Sequence, residues 1–321
     1  MELNKPLVNI KVIGVGGLGI STIGRITRNY RIPGVDYLVV DMQAADHPSY
    51  MYPGVSILEM SPASRDIAYT QETVMKAATA STFTSALRAA IKGADMVVIA
   101  AAMGDRTGTV ASPVVARIAK ESGALVLAFV TSPFCFEDEK WKRAATDCTA
   151  LLRPEVDQTI AVSRRRLEYL NRYVRVCFGP PFPHESWIIS RGILGLIHLL
   201  NLPGLSNLGL ADVVKVMRMP GEGIVSIGEG LGCHPALVAA DEAVSESDLP
   251  WGKARGLLVH FCGGPDLTLA EVQEAAALIA TAADPRCIFR FGVAFPHEDL
   301  RGRAVVVVIA TGLQPKGASW Q

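Results

Sequence analysis

Two glycine-rich stretches carry the clearest chemical pattern in this sequence. The first is the cluster Gly14, Gly16, Gly17 and Gly19, which follows the apolar run Asn9–Val15. The second is the stretch Ala94–Pro113 (ADMVVIAAAMGDRTGTVASP), in which an apolar run ends at Gly104 and a small-residue loop follows. Glycine lets backbone N–H groups approach an anion closely, and the unpaired N–H groups of a helix start favour negative charge. Both stretches therefore predict a phosphate-binding loop between a strand and a helix.

Alternating strands and helices must hold these two loops. The apolar runs predict strands at Asn9–Val15, Tyr37–Val40, Val55–Leu58, Met96–Met103 and Ala124–Thr131. Helical patterns lie between them, at Ile20–Asn29, Asp66–Lys92 and Val114–Ser122, the last of which is expected to begin behind Pro113. This alternation is typical of an α/β domain with a doubly wound parallel sheet, here assigned to residues 1–185.

The pattern of predicted helices and strands changes in the second half of the chain. Ser186–Asn201 predicts a long central helix that is apolar on most faces, in which His198 is interpreted as a packed core residue, and Pro203 ends it. Four strands are predicted beyond it, with two helices among them: Gly223–Ile227, Ala254–Phe261, Cys287–Phe295 and Arg303–Ala310, with Pro235–Ser247 and Thr268–Ala282. We therefore expect a linking helix at 186–202 and a smaller α+β domain with a mixed sheet at 203–321.

Composition excludes several classes of function. The 31 basic and 31 acidic residues cancel, so no overall field indicates nucleic acid or a membrane surface as partner. The six cysteines form no CxxC pair and predict no metal site. No signal-peptide pattern opens the chain, and no apolar run approaches the roughly 20 residues of a membrane span. A cytoplasmic protein without direct membrane insertion is the expectation.

A dinucleotide-binding Rossmann domain is the first alternative for the phosphate loops. It also begins with a strand, a glycine-rich turn and a helix, and an acidic residue such as Asp41 ends its second strand. The run Gly14–Gly19 does not fit GxGxxG cleanly, and Asp41 suits both interpretations.

An ordered series of segments favours another interpretation over a Rossmann domain. IKVIGVGG, GADMVVIAAAMG, TGT, SPVVARIAKESGALVLAFVTSPFCFE and VVVVIATGL together resemble the tubulin/FtsZ superfamily, and the likeness runs from Ile10 to Leu313. The chain is similar to a divergent FtsZ. This resemblance implies a GTPase-like domain, a central helix and a second domain. It also implies GTP or GDP as the cofactor, with Mg²⁺ as a further candidate. The implied role is self-assembly into a head-to-tail homopolymer, or co-assembly with another FtsZ-like protein, in a cytoskeletal or cell-division apparatus.

The resemblance also assigns nucleotide-binding residues. They lie in the first glycine loop, in the loop after the fourth strand, in the ribose loop Pro133–Glu137 and on the central helix: Gly16, Gly17, Gly19, Ser21, Gly104, Asp105, Arg106, Thr107, Gly108, Thr109, Glu137 and Trp187.

Several of these positions depart from the family pattern. Asp105 replaces a glycine that approaches phosphate, and a carboxylate about 4 Å from a phosphate charge costs on the order of 4 kcal/mol at an effective dielectric of 20. Arg106 either pairs with Asp105 or contacts phosphate itself. The third loop, Met60–Arg65, has no glycine, and Ser186–Trp187 stands where relatives read guanine with Asn-Asp. Weak or atypical GTP binding is the prediction.

Hydrolysis in the family uses a loop from the next subunit, here Asn207–Asp212. The resemblance assigns Asn207 and Asp212 as catalytic residues, whereas Gly209 replaces an acid. Losing a positioned acid or base lowers a rate by about 10²- to 10⁴-fold, so slow or absent hydrolysis is expected. Asp212 also suits a plain capping role beside a helix at Val213–Met217. The alternatives are a pseudo-GTPase scaffold or interaction protein without nucleotide, and an ordinary GTPase whose altered loops compensate one another.

Overall fold

The computed structural model describes residues 7–42, 54–60, 81–131, 139–162, 167, 183–202, 204–206, 208–245, 250–294 and 300–314. These residues divide into two compact units. The first contains the described residues of Val8–Thr159 together with 183–187, and the second contains those from Ile160 to 167 together with 188–314.

Five parallel strands form the sheet of the first unit, in the order β3-β2-β1-β4-β5. The strands are β1 (Ile10–Val15), β2 (Val35–Asp41), β3 (Val55–Glu59), β4 (Met96–Ala102) and β5 (Leu125–Thr131). The helices are α1 (Gly16–Asn29), α2 (Ser81–Ile91), α3 (Arg106–Glu121) and α4 (Glu139–Leu152). Every residue of β4 and β5 is buried, as expected for a parallel sheet covered on both faces.

The strand order places a topological switch point between β1 and β4. From β1 the chain runs through β2 to β3 on one side, and it then returns to β4 and β5 on the other. Ligands of open α/β sheets bind at the carboxyl ends of the strands at such a point. The two loops with the glycine patterns follow β1 and β4, so the topology brings them to this position.

The second unit has a mixed sheet in the order β6-β8-β11-β9-β10-β7. Its strands are β6 (Gln158–Val162, of which the first two residues belong to the first unit), β7 (Gly204–Ser206), β8 (Glu222–Leu231), β9 (Gly256–Gly263), β10 (Ile288–Ala294) and β11 (Arg303–Leu313). β11 is antiparallel to both of its neighbours, and β9 is parallel to β10. The helices are α5 (Pro183–Asn201), α6 (Leu210–Met217), α7 (Pro235–Ser245) and α8 (Leu269–Ala282).

The doubly wound parallel sheet, the long central helix and the mixed second sheet confirm the predicted fold class. The predicted starts of two helices are wrong, because α1 begins at Gly16 instead of Ile20 and α3 begins at Arg106 instead of Val114. Pro113 therefore lies inside α3. Burial explains the second error: nearly all of Thr107–Ala119 is buried, and this packing outweighs the hydrogen bond that proline removes.

Helix α4 and the short strand β7 were not predicted. The first part of the predicted helix Asp66–Lys92, up to residue 80, and the helix end at Pro203 fall outside the described residues. No helix in the described ranges is long and apolar enough to cross a membrane.

His198 on α5 packs against another histidine within the second unit. Its ring lies 5.3 Å from that of His260 on β9, in an edge-on arrangement. Burial lowers the pKa of His260 well below its usual value, and the nearby His198 and Arg191 lower it further. His198 is thus a packing residue, as its position on an apolar helix indicated.

Candidate functional site

The starts of α1 and α3 meet at the carboxyl ends of β1 and β4. The two strands are adjacent, with Val15 opposite Ala101. A Cβ atom placed on Gly16 would lie 2.3 Å from Oδ2 of Asp105 and 3.2 Å from the backbone nitrogen of Gly108. The structure therefore brings together the two glycine-rich loops that the sequence singled out.

Two glycines of the first loop have different physical roles. Gly16 has a φ of +69°, in the left-handed region that favours glycine. Gly19 has ordinary backbone angles, but its Cβ would lie 2.4 Å from the backbone carbon of Gly14 and 2.6 Å from the carbonyl oxygen of Ala100. Close packing of α1 on β1 and β4 is enough to explain glycine at position 19.

The remaining predicted residues of this loop lie in the first turns of α1. Gly17 and Ser21 are half-buried. Leu18 and Ile20, the bulky residues of this loop, are buried in the apolar core. Their bulk is thereby accommodated inside the unit.

A buried carboxylate at the end of β2 holds the second loop. The Thr107 hydroxyl donates a hydrogen bond to Oδ1 of Asp41 over 2.8 Å, and the Met42 backbone N–H donates to the same oxygen over 2.7 Å. Asp41 is 4% exposed. The sequence had left the role of Asp41 open. Its position at the end of the strand beside β1 was the signal that it would reach this site.

Thr109 forms two hydrogen bonds within the second loop. Its buried hydroxyl accepts a hydrogen bond of 2.9 Å from the Gly104 backbone N–H, and its own N–H donates to the Asp105 carbonyl over 2.9 Å. Both threonine hydroxyls of the Thr107-Gly108-Thr109 segment are therefore engaged within the protein.

Asp105 directs its carboxylate across to the first loop. The residue precedes α3 in the extended conformation of an N-cap (φ −73°, ψ 147°), yet its side chain forms no capping hydrogen bond. Its Oδ2 instead lies against Gly16. The side chain is half-buried and bridges the starts of two helices.

Opposing effects act on the charge of Asp105. Burial raises the pKa of its carboxyl above the ordinary value, and the Asp41 carboxylate raises it further. Backbone N–H groups at both helix starts act in the other direction but do not overcome burial: they belong to Arg106, Gly17 and Gly108. The region between the helices thus contains N–H donors, as a phosphate site requires, together with two acidic side chains.

The structure bears on one half of the choice that the sequence left open for Arg106, its pairing with Asp105. Its side chain is exposed, and it is the backbone N–H of this residue, not the guanidinium, that lowers the pKa of Asp105. The carboxylate is therefore not neutralised by its neighbour in the sequence.

The first turn of α5 carries the predicted base-binding position. Ser186 is buried, and its hydroxyl accepts a hydrogen bond of 2.8 Å from Nε of Arg25 on α1. Trp187 is half-buried. The sequence gave no signal for the contact between Arg25 and Ser186, because 161 positions separate these residues.

Asp212 lies in the first turn of α6, in the second unit. Its Oδ2 accepts a hydrogen bond of 3.3 Å from the Gly209 backbone N–H, at the N-cap of the helix. Its Oδ1 lies 3.4 Å from Nε of Arg290 on β10. The carboxylate therefore has the capping role that the sequence left open, and an ion pair that it did not indicate.

The other predicted positions cannot be located. Asn207, Glu137 and the third-loop residues Ser61–Arg65 fall outside the described residues. Within the described ranges, no group of three or more His, Cys, Asp or Glu side chains has the geometry of a metal site.

Family models match both units of the chain. Residues 9–170, just over half of the chain, match the model described as "Tubulin/FtsZ family, GTPase domain". Residues 221–314 match the model described as "FtsZ family, C-terminal domain". The chain belongs to the tubulin/FtsZ family. This finding confirms the resemblance seen in the sequence.

One curated FtsZ-family relative is the cell division protein FtsZ of Magnetospirillum gryphiswaldense, which is 34% identical over 314 residues. The match covers 97% of this chain but 55% of the relative, so the chain spans about half the length of that protein.

Solved structures agree with this FtsZ-family assignment. A mutant FtsZ of M. jannaschii has a TM-score of 0.82 at 28% identity and covers 96% of this chain and 92% of its own. An empty FtsZ dimer of M. jannaschii gives the same TM-score and identity over 97% of this chain and 89% of its own. CetZ2 of Haloferax volcanii, at 19% identity and a TM-score of 0.74 over 97% of this chain and 95% of its own, shows the fold alone.

Proposed function

We propose that this FtsZ-family chain self-assembles head to tail, or co-assembles with another FtsZ-like protein, and binds GTP or GDP weakly between the starts of α1 and α3. Family membership supports the assembly, as does the dimeric form in which an FtsZ of M. jannaschii was solved. A role in a cytoskeletal or cell-division apparatus follows from the same relationship.

One observation carries the claim that binding is weak. The Asp105 carboxylate lies against Gly16, and a second carboxylate, Asp41, lies close enough to raise its pKa. The backbone N–H groups of the helix starts favour a phosphate, whereas the two carboxylates repel one. This combination favours low affinity over tight binding. Any Mg²⁺ would enter with the nucleotide.

Slow hydrolysis is the second part of the proposal. Asp212 and Asn207 would be supplied by the next subunit of an assembly, Gly209 stands in place of an acid, and the Asp212 carboxylate is engaged with Arg290 and the Gly209 N–H. An acid that must leave two partners before it can position water is a poor catalyst, so we expect turnover well below that of an ordinary GTPase.

A pseudo-GTPase scaffold is the second candidate function. The Asp105 carboxylate, which lies where a phosphate would bind, favours the scaffold function directly. A site already occupied by an anion does not require a nucleotide. The two candidates differ in one measurable quantity, the affinity for nucleotide.

Calorimetric titration of the nucleotide-stripped protein with GTP, GDP and ATP, with and without Mg²⁺, separates the two candidates. We expect saturable guanine-nucleotide binding weaker than about 100 μM, which corresponds to roughly 5.5 kcal/mol. Tighter binding would contradict the claim of weak affinity. Heat signals indistinguishable from dilution at millimolar nucleotide would leave only the scaffold.

Sedimentation and phosphate release test assembly and catalysis on the same protein. We expect pelleting that depends on protein concentration and slow phosphate release, and Asp212→Ala should lower the release further without preventing nucleotide binding. Turnover that is unchanged in Asp212→Ala would remove Asp212 from the catalytic assignment. A protein that stays monomeric at all concentrations, with and without GTP, would contradict self-assembly.

A further inference from the structure

The Asp105 side chain is in an unusual position for an N-cap residue. An N-cap aspartate ordinarily accepts a hydrogen bond from an N–H group in the first turn of its own helix. Asp105 lacks a capping hydrogen bond of normal geometry, although the N–H groups of Arg106 and Gly108 lower its pKa, and its Oδ2 lies beside Gly16 at the start of a different helix. Helix capping alone therefore does not account for the orientation of this carboxylate toward α1.

The groups around this carboxylate are those that a phosphate requires. N–H groups from both helix starts, at Gly17 on α1 and at Arg106 and Gly108 on α3, stabilise its negative charge. Backbone N–H groups at two helix starts are a recurrent phosphate-binding arrangement. A carboxylate oxygen and a phosphate oxygen have the same need for N–H donors, and both carry negative charge.

No described side chain in this region neutralises the carboxylate by an ion pair. The Arg106 side chain is exposed, and the described charged side chain that affects the pKa of Asp105 is another acid, Asp41. A second anion could not join Asp105 among the same donors without strong repulsion. The carboxylate and a nucleotide phosphate are therefore mutually exclusive.

We propose that Asp105 is an internal anion, which occupies the phosphate subsite between the starts of α1 and α3 and must leave it before a nucleotide phosphate can bind. This inference rests on the proposed guanine-nucleotide site. It adds a specific cause of the weak affinity and makes that affinity adjustable at one residue.

The carboxylate can leave without rearrangement of the fold. Asp105 is half-buried, so one side of its side chain already reaches solvent. The proposed displacement requires only a rotation about its Cα–Cβ bond, which leaves the backbone of α3 in place. Only the fraction of molecules with the side chain turned out can bind phosphate, and this lowers the apparent affinity by that fraction.

Two substitutions at position 105 test the inference against one matched control. Asp105→Gly removes both the charge and the volume, whereas Asp105→Asn removes the charge and keeps the shape. Glu121→Gln removes one negative charge from the opposite end of the same helix, where Glu121 contacts Arg88 and Arg117. Each variant and the wild type are titrated with GTP, GDP and inorganic pyrophosphate after thermal unfolding has confirmed that it is folded.

The inference predicts a graded gain in affinity. We expect Asp105→Gly to bind pyrophosphate and GDP about 10- to 100-fold more tightly than the wild type, because no internal anion remains to be displaced. Asp105→Asn should show a smaller gain in the same direction, and Glu121→Gln should stay within about twofold of the wild type.

Each other outcome has a distinct meaning. Equal affinity in the wild type and both position-105 variants overturns the inference and leaves weak nucleotide binding intact. Weaker binding in the variants also overturns it, because Asp105 would then assist the nucleotide. Binding in Asp105→Gly with none in the wild type supports the internal anion and rejects nucleotide binding by the native chain. The absence of binding in all of them, pyrophosphate included, rejects both.

Discussion

Two aspartates at helix starts, Asp105 before α3 and Asp212 in α6, occupy similar positions in the sequence and have opposite environments. Asp212 accepts a hydrogen bond from the N–H at the N-cap of its own helix, and Arg290 lies opposite its other oxygen. Asp105 lacks a capping hydrogen bond of normal geometry, interacts with N–H groups of two helix starts, and has its pKa raised by a second carboxylate.

The difference shows how an acidic residue at a helix start can be assigned. Capping stabilises a helix, and it explains an aspartate whose side chain stays within its own first turn. The same residue type directed at a neighbouring helix, with N–H donors and no cation paired to it among the described side chains, is in the environment of a bound anion. The capping explanation is thus sufficient for Asp212 and incomplete for Asp105, whose carboxylate also lies against α1.

The largest effect that tests this comparison is expected for Gly16→Ala. The new Cβ would meet Oδ2 of Asp105 at 2.3 Å, on a backbone with φ of +69°. We expect the free energy of unfolding to fall by about 2–3 kcal/mol, measured by urea denaturation. Gly93→Ala is the control for backbone strain alone, because its φ is +76° and nothing lies within 4 Å of its Cβ position.

A double-mutant cycle identifies the part of this effect that Asp105 causes. In the Asp105→Gly background, Gly16→Ala should destabilise the protein by about 1 kcal/mol less than in the wild type, because the clash with the carboxylate is gone. The same loss in both backgrounds would show that Asp105 does not press against Gly16.

An intermediate effect is expected when the two aspartates are each replaced by asparagine. Asp212→Asn weakens the cap and the pairing with Arg290, so we expect the free energy of unfolding to fall by about 0.5–1 kcal/mol. Asp105→Asn should leave it unchanged or raise it at neutral pH, because the raised pKa of Asp105 means that its charged form is disfavoured in the folded state. A loss of stability in Asp105→Asn as large as that in Asp212→Asn would remove the contrast between the two residues.

The smallest effect is expected in the pH dependence of stability. Burial holds the folded-state pKa of Asp105 above its ordinary value, so the folded protein retains this proton to higher pH than the unfolded chain. The contribution of Asp105 is therefore most favourable below the unfolded pKa and is lost as pH rises through the folded pKa. Urea midpoints across this range should fall more steeply with rising pH in the wild type than in Asp105→Asn. Parallel curves would contradict the raised pKa.

The family and the order of the elements could be predicted because they depend on local patterns. Runs such as Met96–Ala102 are buried on both faces of the sheet, so they are continuously apolar, and the alternation of strands and helices follows directly. The starts of α1 and α3 could not be predicted from the same pattern. Glycine, threonine and proline have low helix propensity, and only burial against the sheet makes these residues helical.

The candidate site, too, was only partly predictable from the sequence. The sequence identified the loops after β1 and β4 through their glycines, and it identified Asp105 as a departure from the family. It did not indicate the partner of Thr107, which is 66 positions away at Asp41, or the partner of Asp212, which is 78 positions away at Arg290.

The sequence by itself determined the doubly wound fold, the position of the two glycine-rich loops and membership of the tubulin/FtsZ family, because periodicity and motif order are properties of neighbouring residues. Only the tertiary structure decided that the Asp105 carboxylate lies against Gly16 while that of Asp212 remains with its own helix. Side-chain direction depends on which charges and donors the fold brings within a few ångströms, and those groups come from distant parts of the chain.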